Sequence, residues 1–197
     1  MKQERTVFRG KGIAILAVAL ASLTFAGCTT TAPKDQATAA QQRSDINSHA
    51  DATLTRLYKS SPDARSMVQR AKGVLIFPTV LSAGFVVGGE HGRGVLRVGG
   101  RNEGYYSTTA GSIGFQAGAQ SKAIVLVFMT QEALDKFRRS NGWTVGADAT
   151  VAIANIGANG RIDTNTVKES VVGFVLNNAG LMAGVSLEGT KIQKLQL

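Results

Sequence analysis

The spacing of hydrophobic positions along this chain changes near residue 73. Before that point, apolar residues recur every three or four positions, which is the spacing of one helix face. The apolar positions of the first predicted helix are Ile46, Ala50, Leu54, Leu57 and Tyr58. Ser61-Pro62-Asp63 predicts the start of a second helix, because serine caps helix ends and proline is well tolerated in the first turn. This helix is predicted to end at Gly73.

From Val74 onward, apolar and polar residues alternate, which predicts β-strands. The first strand, Val74–Phe77, is expected to stop at Pro78. Further strands are predicted at 84–90, 94–98, 105–108, 113–120, 123–129, 143–154, 170–176 and 181–187. One helix interrupts them, with Thr130 as its cap and Gly142 after its end. The glycine cluster Gly88–Gly94 is interpreted as a hairpin turn.

Glycine occurs repeatedly inside the predicted strands, for example at Gly114, Gly118, Gly146 and Gly184. A glycine within a strand gives up side-chain packing and is typical of bends and bulges. The pattern therefore predicts an α+β fold. N-terminal helices would be followed by a strongly curved, Gly-rich antiparallel β-sheet or a small barrel, with one inserted helix.

The amino-terminal segment has the three parts of a secretory signal peptide. Residues 1–12 are positively charged, Ile13–Phe25 are almost wholly apolar, and Ala26-Gly27 are small. The apolar run is shorter than the roughly 20 residues that a spanning helix needs. With Cys28, the only cysteine, the junction resembles a bacterial lipoprotein signal, which implies a diacylglycerol thioether at Cys28. The alternative is ordinary secretion with a free cysteine.

This resemblance implies a division of the chain and a location in the cell. Residues 1–27 would be the signal peptide, residues 28–44 a flexible tether, and residues 45–197 the folded domain. Because Thr29 stands where an aspartate would retain the protein at the inner membrane, the expected location is the bacterial cell envelope, anchored to the outer membrane.

No pattern for catalysis, a cofactor or a metal emerges. The Gly88–Gly94 cluster has neither phosphate-loop spacing nor a following helix. Ser112 lies in a sequence one substitution from the hydrolase pattern G-x-S-x-G, but an alternating strand follows it instead of a helix. The chain has two histidines, which are too few to suggest a metal site. We therefore predict a protein that is not an enzyme, with no cofactor and no metal.

The whole chain has a net charge of +9, and without residues 1–27 it would carry 18 − 12 = +6, a surplus that favours anionic partners. Nucleic acid is a poor candidate, because a lipid-anchored envelope protein does not meet it. Arg93, Arg97 and Arg101 share strand parity, so an extended segment would project all three from one face. A second basic group concentrates where the helices meet the first strand: Arg56, Lys59, Arg65, Arg70 and Lys72. The predicted lipid-binding residues are Arg65, Lys72, Arg93, Arg97 and Arg101; the alternative is a solvated basic face.

Six blocks, in order, resemble the SYLF domain family. They are "AKGVLIFP" (71–78), "AGFVVGGEHGRGVL" (83–96), "GSIGFQAGAQ" (111–120), "GADATVA" (146–152), "GRI" (160–162) and "GLMAGVSLEG" (180–189). The resemblance covers about residues 46–197 and implies phospholipid binding, chiefly of phosphoinositides in eukaryotic members, with actin binding in some. It brings no catalytic residue or cofactor. Actin and phosphoinositides are not expected as ligands in a bacterial envelope.

The resulting hypothesis is a lipid-anchored envelope protein whose domain binds an anionic phospholipid membrane. The alternative is a structural or protein-interaction module of the envelope with no lipid ligand and an unknown protein partner. A third reading, a serine hydrolase using Ser112, predicts labelling of that serine by an activity probe, which we do not expect.

Overall fold

The computed structural model describes residues 36–155, 161–163 and 166–197. Cys28 and the predicted signal peptide lie outside the described residues. The helices are α1 (Gln36–Ser60), α2 (Pro62–Arg70) and α3 (Gln131–Arg139), with a short 3₁₀ turn at Thr166–Lys168. The strands are β1 (Gly73–Val98), β2 (Arg101–Phe128), β3 (Trp143–Thr144), β4 (Ala152–Ile153), β5 (Val171–Asn177), β6 (Gly180–Leu181) and β7 (Lys191–Leu195).

The predicted fold class is confirmed: N-terminal helices precede a strongly curled sheet that forms a half-barrel with one inserted helix. The sheet is mixed, since β4 pairs with β5 in parallel while the other strand pairs are antiparallel. Among the described residues, no helix combines the length and apolar character needed to cross a membrane.

Helix α1 begins earlier than the sequence pattern predicted. Residues 36–44, which were expected to belong to a flexible tether, are helical. This segment, QATAAQQRS, is rich in alanine and glutamine, which favour helix even without an apolar stripe. The prediction relied on apolar periodicity, and therefore missed a helix that extends beyond its buried face.

Helix α2 begins as predicted. The Ala64 backbone N–H donates a hydrogen bond to Ser61 Oγ at 3.2 Å, and Pro62 is the first helical residue. The predicted end is wrong, because the helix stops at Arg70 with Ala71 in an extended conformation. Gly73 instead begins β1.

The turn between β1 and β2 is not where the glycine cluster suggested. Both strands are long, and they are joined by Gly99 and Gly100, whose φ angles of 56° and 77° lie in the left-handed region. The Gly88–Gly94 segment lies inside β1, so its interpretation as a hairpin turn is wrong. The expected stop at Pro78 is also wrong. The strand passes through a register shift between Phe77 and Val80, where a missing N–H is tolerated.

The β1–β2 ribbon doubles back on itself near residue 86. A Cβ atom added to Gly92 would lie 2.8 Å from the Thr79 carbonyl oxygen, and Cβ atoms added to Gly94 and Gly84 would collide with the backbone of Ile76 and Gly88. These contacts join residues far apart within one strand. The glycines are therefore required where the two halves of β1 approach each other.

In the middle of the ribbon, β1 and β2 pair only with each other in the described structure. The end of β2, residues 123–128, pairs with β5, and its early part, residues 105–109, pairs with β7. Between those parts, the ribbon narrows to two strands. We call residues 84–88 of β1 and 114–118 of β2 the ribbon tip.

Two hydrophobic clusters hold the fold together, and they contain different groups of side chains. The first joins α1 and α2 to the sheet through Ala50, Leu57, Met67, Ile76, Val125 and Phe174. The second joins the ribbon to α3 and β3 through Phe77, Leu126, Phe128, Phe137 and Trp143. The Phe137 ring centroid lies 5.0 Å from that of Phe128 and 5.5 Å from that of Trp143. The N-terminal helices are therefore part of the domain core.

The predicted strands at 143–154 and 181–187 are much shorter in the structure. At the end of β3, the Thr144 backbone N–H donates to Asp148 Oδ2 at 2.7 Å, and Gly146, which follows the strand, has a φ of 89°. This local turn interrupts the predicted strand. In the second segment, only Gly180–Leu181 forms a strand, because Gly184 at a φ of 68° turns the chain. The alternation of apolar and polar residues does not show whether a glycine bends a strand or ends it in a turn, so both strands were predicted to be too long.

Candidate functional site

The five predicted lipid-binding residues lie in two separate places. Arg65 is on α2 and Lys72 follows that helix, whereas Arg93 and Arg97 are on β1. Arg101 lies beyond the Gly99-Gly100 turn at the start of β2, paired with Val98. The premise of one extended segment carrying all three arginines is therefore wrong, because the chain reverses before the third.

Arg97 is bound to α1. Its Nη1 donates to Asp51 Oδ1 at 2.6 Å, its Nη2 donates to the Asn47 carbonyl oxygen at 3.3 Å, and its Nε donates to Asn102 Oδ1 at 3.0 Å. Only 16% of its side chain is exposed. Arg97 thus attaches the first helix to the ribbon, and we no longer assign it to an open anionic site.

Arg93 is exposed on the same face of β1 and makes a weaker contact with α1. Its Nη1 donates to Gln42 Oε1 at 3.2 Å. The shared parity of Arg93 and Arg97 was thus read correctly. The consequence differs, because the face they share is the one that α1 covers.

Replacing Arg97 with glutamine should lower the free energy of unfolding by about 1 kcal/mol, because it removes a partly exposed ion pair and two accompanying hydrogen bonds. Urea unfolding would measure the change. Arg93→Gln is the matched control and should cost less than about 0.5 kcal/mol, since it loses one exposed hydrogen bond. Equal losses in the two variants would show that the Asp51 contact has no special role.

The other basic group remains accessible to solvent. We call it the junction cations: Arg56, Lys59, Arg65, Arg70 and Lys72, all of which are exposed. They follow one another over the last turns of α1, along α2 and up to Lys72, the residue before β1. The five cations are thus close along the chain, within residues 56–72, and each is exposed.

Contacts within the domain hold some junction cations in place. The Arg65 guanidinium lies 5.5 Å from the centroid of the Tyr58 ring, in a cation–π arrangement. Arg56 Nη2 donates to the Asn177 carbonyl oxygen at 3.3 Å, and Arg70 Nε donates to the Ser66 carbonyl oxygen at 3.2 Å. None of these partners is a carboxylate, so the positive charges are oriented without being neutralised.

Acidic residues are scarce along the segment that carries the junction cations. Between residues 52 and 89, the sequence contains one carboxylate, Asp63. Its Oδ2 accepts a hydrogen bond at 3.2 Å from the Ile162 backbone N–H. Burial raises the pKa of Tyr58, against the opposing effect of Arg65 and Arg97, so this phenol stays neutral near pH 7. The junction therefore carries a positive surplus suited to an anionic ligand.

The residues considered for catalysis do not form a hydrolase arrangement. Ser112 lies within β2, which continues as a strand to Phe128, whereas a nucleophile elbow needs a helix directly after the serine. Its side chain is outside the described part of the structure. In the described ranges, no group of three or more possible ligands forms a metal cluster.

A family model matches most of the carboxyl-terminal half of the chain. Residues 109–196 match the family model Ysc84, described as "Las17-binding protein actin regulator". This region is similar to Ysc84 (SYLF) domains. The resemblance inferred from the sequence blocks is confirmed for the family. The matched Ysc84 region begins inside β2, so the junction cations precede it.

Full-length relatives of the Ysc84 type extend the match towards the amino terminus. The human SH3 domain-containing YSC84-like protein 1 is 28% identical over 130 residues, which cover 63% of this chain and 37% of the relative. An SH3 domain-containing protein of Schizosaccharomyces pombe is 32% identical over 136 residues, covering 64% and 30%. Protein YSC84 of Saccharomyces cerevisiae is 31% identical over 134 residues, covering 64% and 28%.

The chain thus spans about a third of the length of these curated relatives. Their printed names describe SH3 domain-containing or YSC84-type proteins, and none of the three is named as an enzyme. What the chain shares with them is the SYLF module.

Proposed function

We propose that this chain is a lipid-anchored cell-envelope protein whose SYLF module binds anionic phospholipid through the junction cations and performs no catalysis. The ligand class is a phosphate-bearing head group. Guanidinium and ammonium groups bind phosphate through charge-assisted hydrogen bonds, which are stronger than neutral ones.

The observation that carries this proposal is the composition of the junction. Residues 56–72 carry five exposed cations and a single carboxylate, Asp63, which already accepts a backbone hydrogen bond. Cations near an anionic bilayer each contribute about 1 kcal/mol of attraction. A surface that merely needed solubility would intersperse charges of both signs. The junction instead concentrates one sign.

A protein-interaction module is the second candidate, and the description of the family favours it. The words "Las17-binding protein actin regulator" name a protein partner for the Ysc84 family. For this chain, the corresponding proposal is a protein partner in the envelope, with no lipid ligand. The two candidates differ in their response to vesicles that contain no protein.

The proposed anchor is a diacylglycerol thioether at Cys28, and the proposed location is the outer membrane. Support comes from the charged, apolar and small-residue segments that precede Cys28. Acyl chains contribute about 0.8 kcal/mol per buried methylene, so several chains hold a protein on a bilayer. Intact-mass measurement of the membrane-extracted protein tests this step. A free thiol at position 28 would contradict it.

Binding to vesicles tests the lipid proposal. Residues 29–197 should sediment with vesicles of phosphatidylcholine and phosphatidylglycerol, and much less with phosphatidylcholine alone. Raising the ionic strength from about 0.1 M to about 1 M shortens the Debye length from about 10 Å to about 3 Å, so bound protein should decrease. If neither vesicle binds the protein at low salt, the interaction-module candidate is favoured.

A further inference from the structure

Two large hydrophobic side chains at and next to the ribbon tip are exposed. Leu81 is 56% exposed and Val87 is 71% exposed, and they are the large hydrophobic side chains on the surface of the described structure. Leu81 leads into the tip and Val87 lies within it. Moving either side chain out of water would be favourable, by a large fraction of the transfer free energy of a fully buried aliphatic side chain. Their exposure therefore requires a physical reason.

Charged residues are missing from the sequence around this tip. The chain contains no Asp, Glu, Lys or Arg in residues 73–89 or in residues 104–121. Water-soluble proteins usually protect exposed strand edges with charged side chains, lysine in particular. The two-stranded part of this ribbon lacks that protection. Exposed apolar side chains in a part of the ribbon without charged residues match a medium with a low dielectric constant.

The first charges on the two strands below the tip are paired with each other. Lys122 Nζ and Glu90 lie 2.8 Å apart, and each side chain is 15% exposed. Ser82 Oγ also donates to Glu90 Oε1 at 2.9 Å. These contacts join the two halves of the folded ribbon just below the bend. If the tip entered an apolar phase, the charged residues next to it, Glu90 and Lys122, would therefore still be paired with each other.

The amino-terminal end of α1 lies towards the same end of the domain as the ribbon tip. Gln42 contacts Arg93 and Asp51 contacts Arg97, so α1 and the second half of β1 run in the same direction. From the Gln42–Arg93 contact towards the amino terminus, the first residue of α1 lies about 9 Å away along the helix. Residue 88 lies about 16 Å away in the same direction along β1. Residues 1–35, which contain the apolar run and Cys28, precede α1.

We infer that the ribbon tip inserts into the apolar region of the phospholipid bilayer beside the amino-terminal end of α1, with Leu81 and Val87 as the inserting side chains. Shallow insertion of apolar side chains beneath the head groups is a known mode of interfacial binding. This contact does not depend on the junction cations, which lie towards the other end of α1. If α1 lies along the bilayer surface, the ribbon tip near one end of the helix and the junction cations near the other can contact the same membrane.

Fluorescent labels at single cysteines test this inference in the full chain. Cys28→Ser removes the only native cysteine, and Val87→Cys then accepts an environment-sensitive dye. Leu81→Cys gives a second position, in case either substitution disturbs the bend. Gln193→Cys, exposed on β7, is the matched control, and Gln69→Cys on α2 reports on the junction.

We expect the emission of the dye at positions 81 and 87 to shift to the blue in the fraction of the chain that is bound to vesicles, whether or not the vesicles contain phosphatidylglycerol and whatever the salt concentration. Position 193 should remain in water. Dye that stays in water at both 81 and 87 while the chain is on the vesicles overturns the inference. A shift that appears without vesicles and grows with protein concentration also overturns it, because a second copy would then cover the tip.

The dye at position 69 keeps the two proposals separate. A response there only with phosphatidylglycerol and at low salt supports head-group binding at the junction. If position 69 never responds while positions 81 and 87 do, the head-group site is wrong and the tip inference is supported. The double variant with Leu81→Thr and Val87→Thr removes the apolar side chains of the tip, and its affinity for vesicles should be roughly tenfold or more lower.

Discussion

Replacing Gly94 with alanine is expected to destabilise the protein by about 3 kcal/mol. The added Cβ would collide with the Ile76 carbonyl oxygen and lie 2.6 Å from Cδ1 of Phe77. Overpacking typically costs 1–3 kcal/mol, with the cost rising when backbone must move. Here the obstacle is the first half of the same strand. Urea unfolding, followed by fluorescence of the buried Trp143, measures the loss.

Gly89→Ala provides a matched control in the same strand. Nothing lies within 4 Å of a Cβ atom added at Gly89. Glycine inside a strand costs roughly 0.5–1 kcal/mol relative to alanine, so this variant should be neutral or slightly more stable. If Gly94→Ala is as stable as Gly89→Ala, β1 does not double back as described, and the position assigned to the ribbon tip is wrong as well.

Neutralising four junction cations is expected to weaken binding to anionic vesicles by roughly a thousandfold. The variant carries Lys59→Gln, Arg65→Gln, Arg70→Gln and Lys72→Gln. At about 1 kcal/mol per charge, the expected loss is about 4 kcal/mol. Arg56 is kept, because it also bonds to the Asn177 carbonyl oxygen. Vesicle titration at low salt measures the change, and circular dichroism checks that the helices remain.

A second variant separates local from total charge. Arg139→Gln, Lys168→Gln, Lys191→Gln and Lys194→Gln remove the same number of exposed cations elsewhere on the domain. We expect this control to retain most of the affinity. Equal losses in the two quadruple variants would show that net charge, and not the junction, governs attraction to the membrane.

Local signals were sufficient to predict several elements. The start of α2 followed from Ser61 and Pro62, because a helix cap depends on neighbours within one turn. The inserted helix α3 followed similarly from Thr130, whose side chain accepts from the Ala133 backbone N–H. The fold class also followed, because the change from helical to alternating spacing near residue 73 is strong.

Contacts between distant parts of the chain were not predictable in this way. Gly94 is a glycine because Ile76 lies against it, and no local pattern distinguishes this requirement from that of a turn. The Gly88–Gly94 cluster was therefore read as a turn, while the true turn at Gly99-Gly100 was missed. The half-barrel depends on these distant contacts.

The same limit applies to the candidate site. Strand parity placed Arg93 and Arg97 on one face, but the sequence did not show that α1 covers it through Asp51. The junction cations were recognisable because they are close along the chain. Exposure of Val87 was not, because an apolar residue in an alternating strand ordinarily predicts burial.

Mapping of head-group contacts by nuclear magnetic resonance tests the central claim most directly. Residues 29–197 would be titrated with short-chain phosphatidylglycerol, and with short-chain phosphatidylcholine as the control. The account predicts that phosphatidylglycerol alone shifts the side-chain N–H resonances of Arg65 and Arg70 and the backbone resonances of residues 56–72. Equal shifts with both lipids, or shifts confined to other parts of the domain, would contradict it.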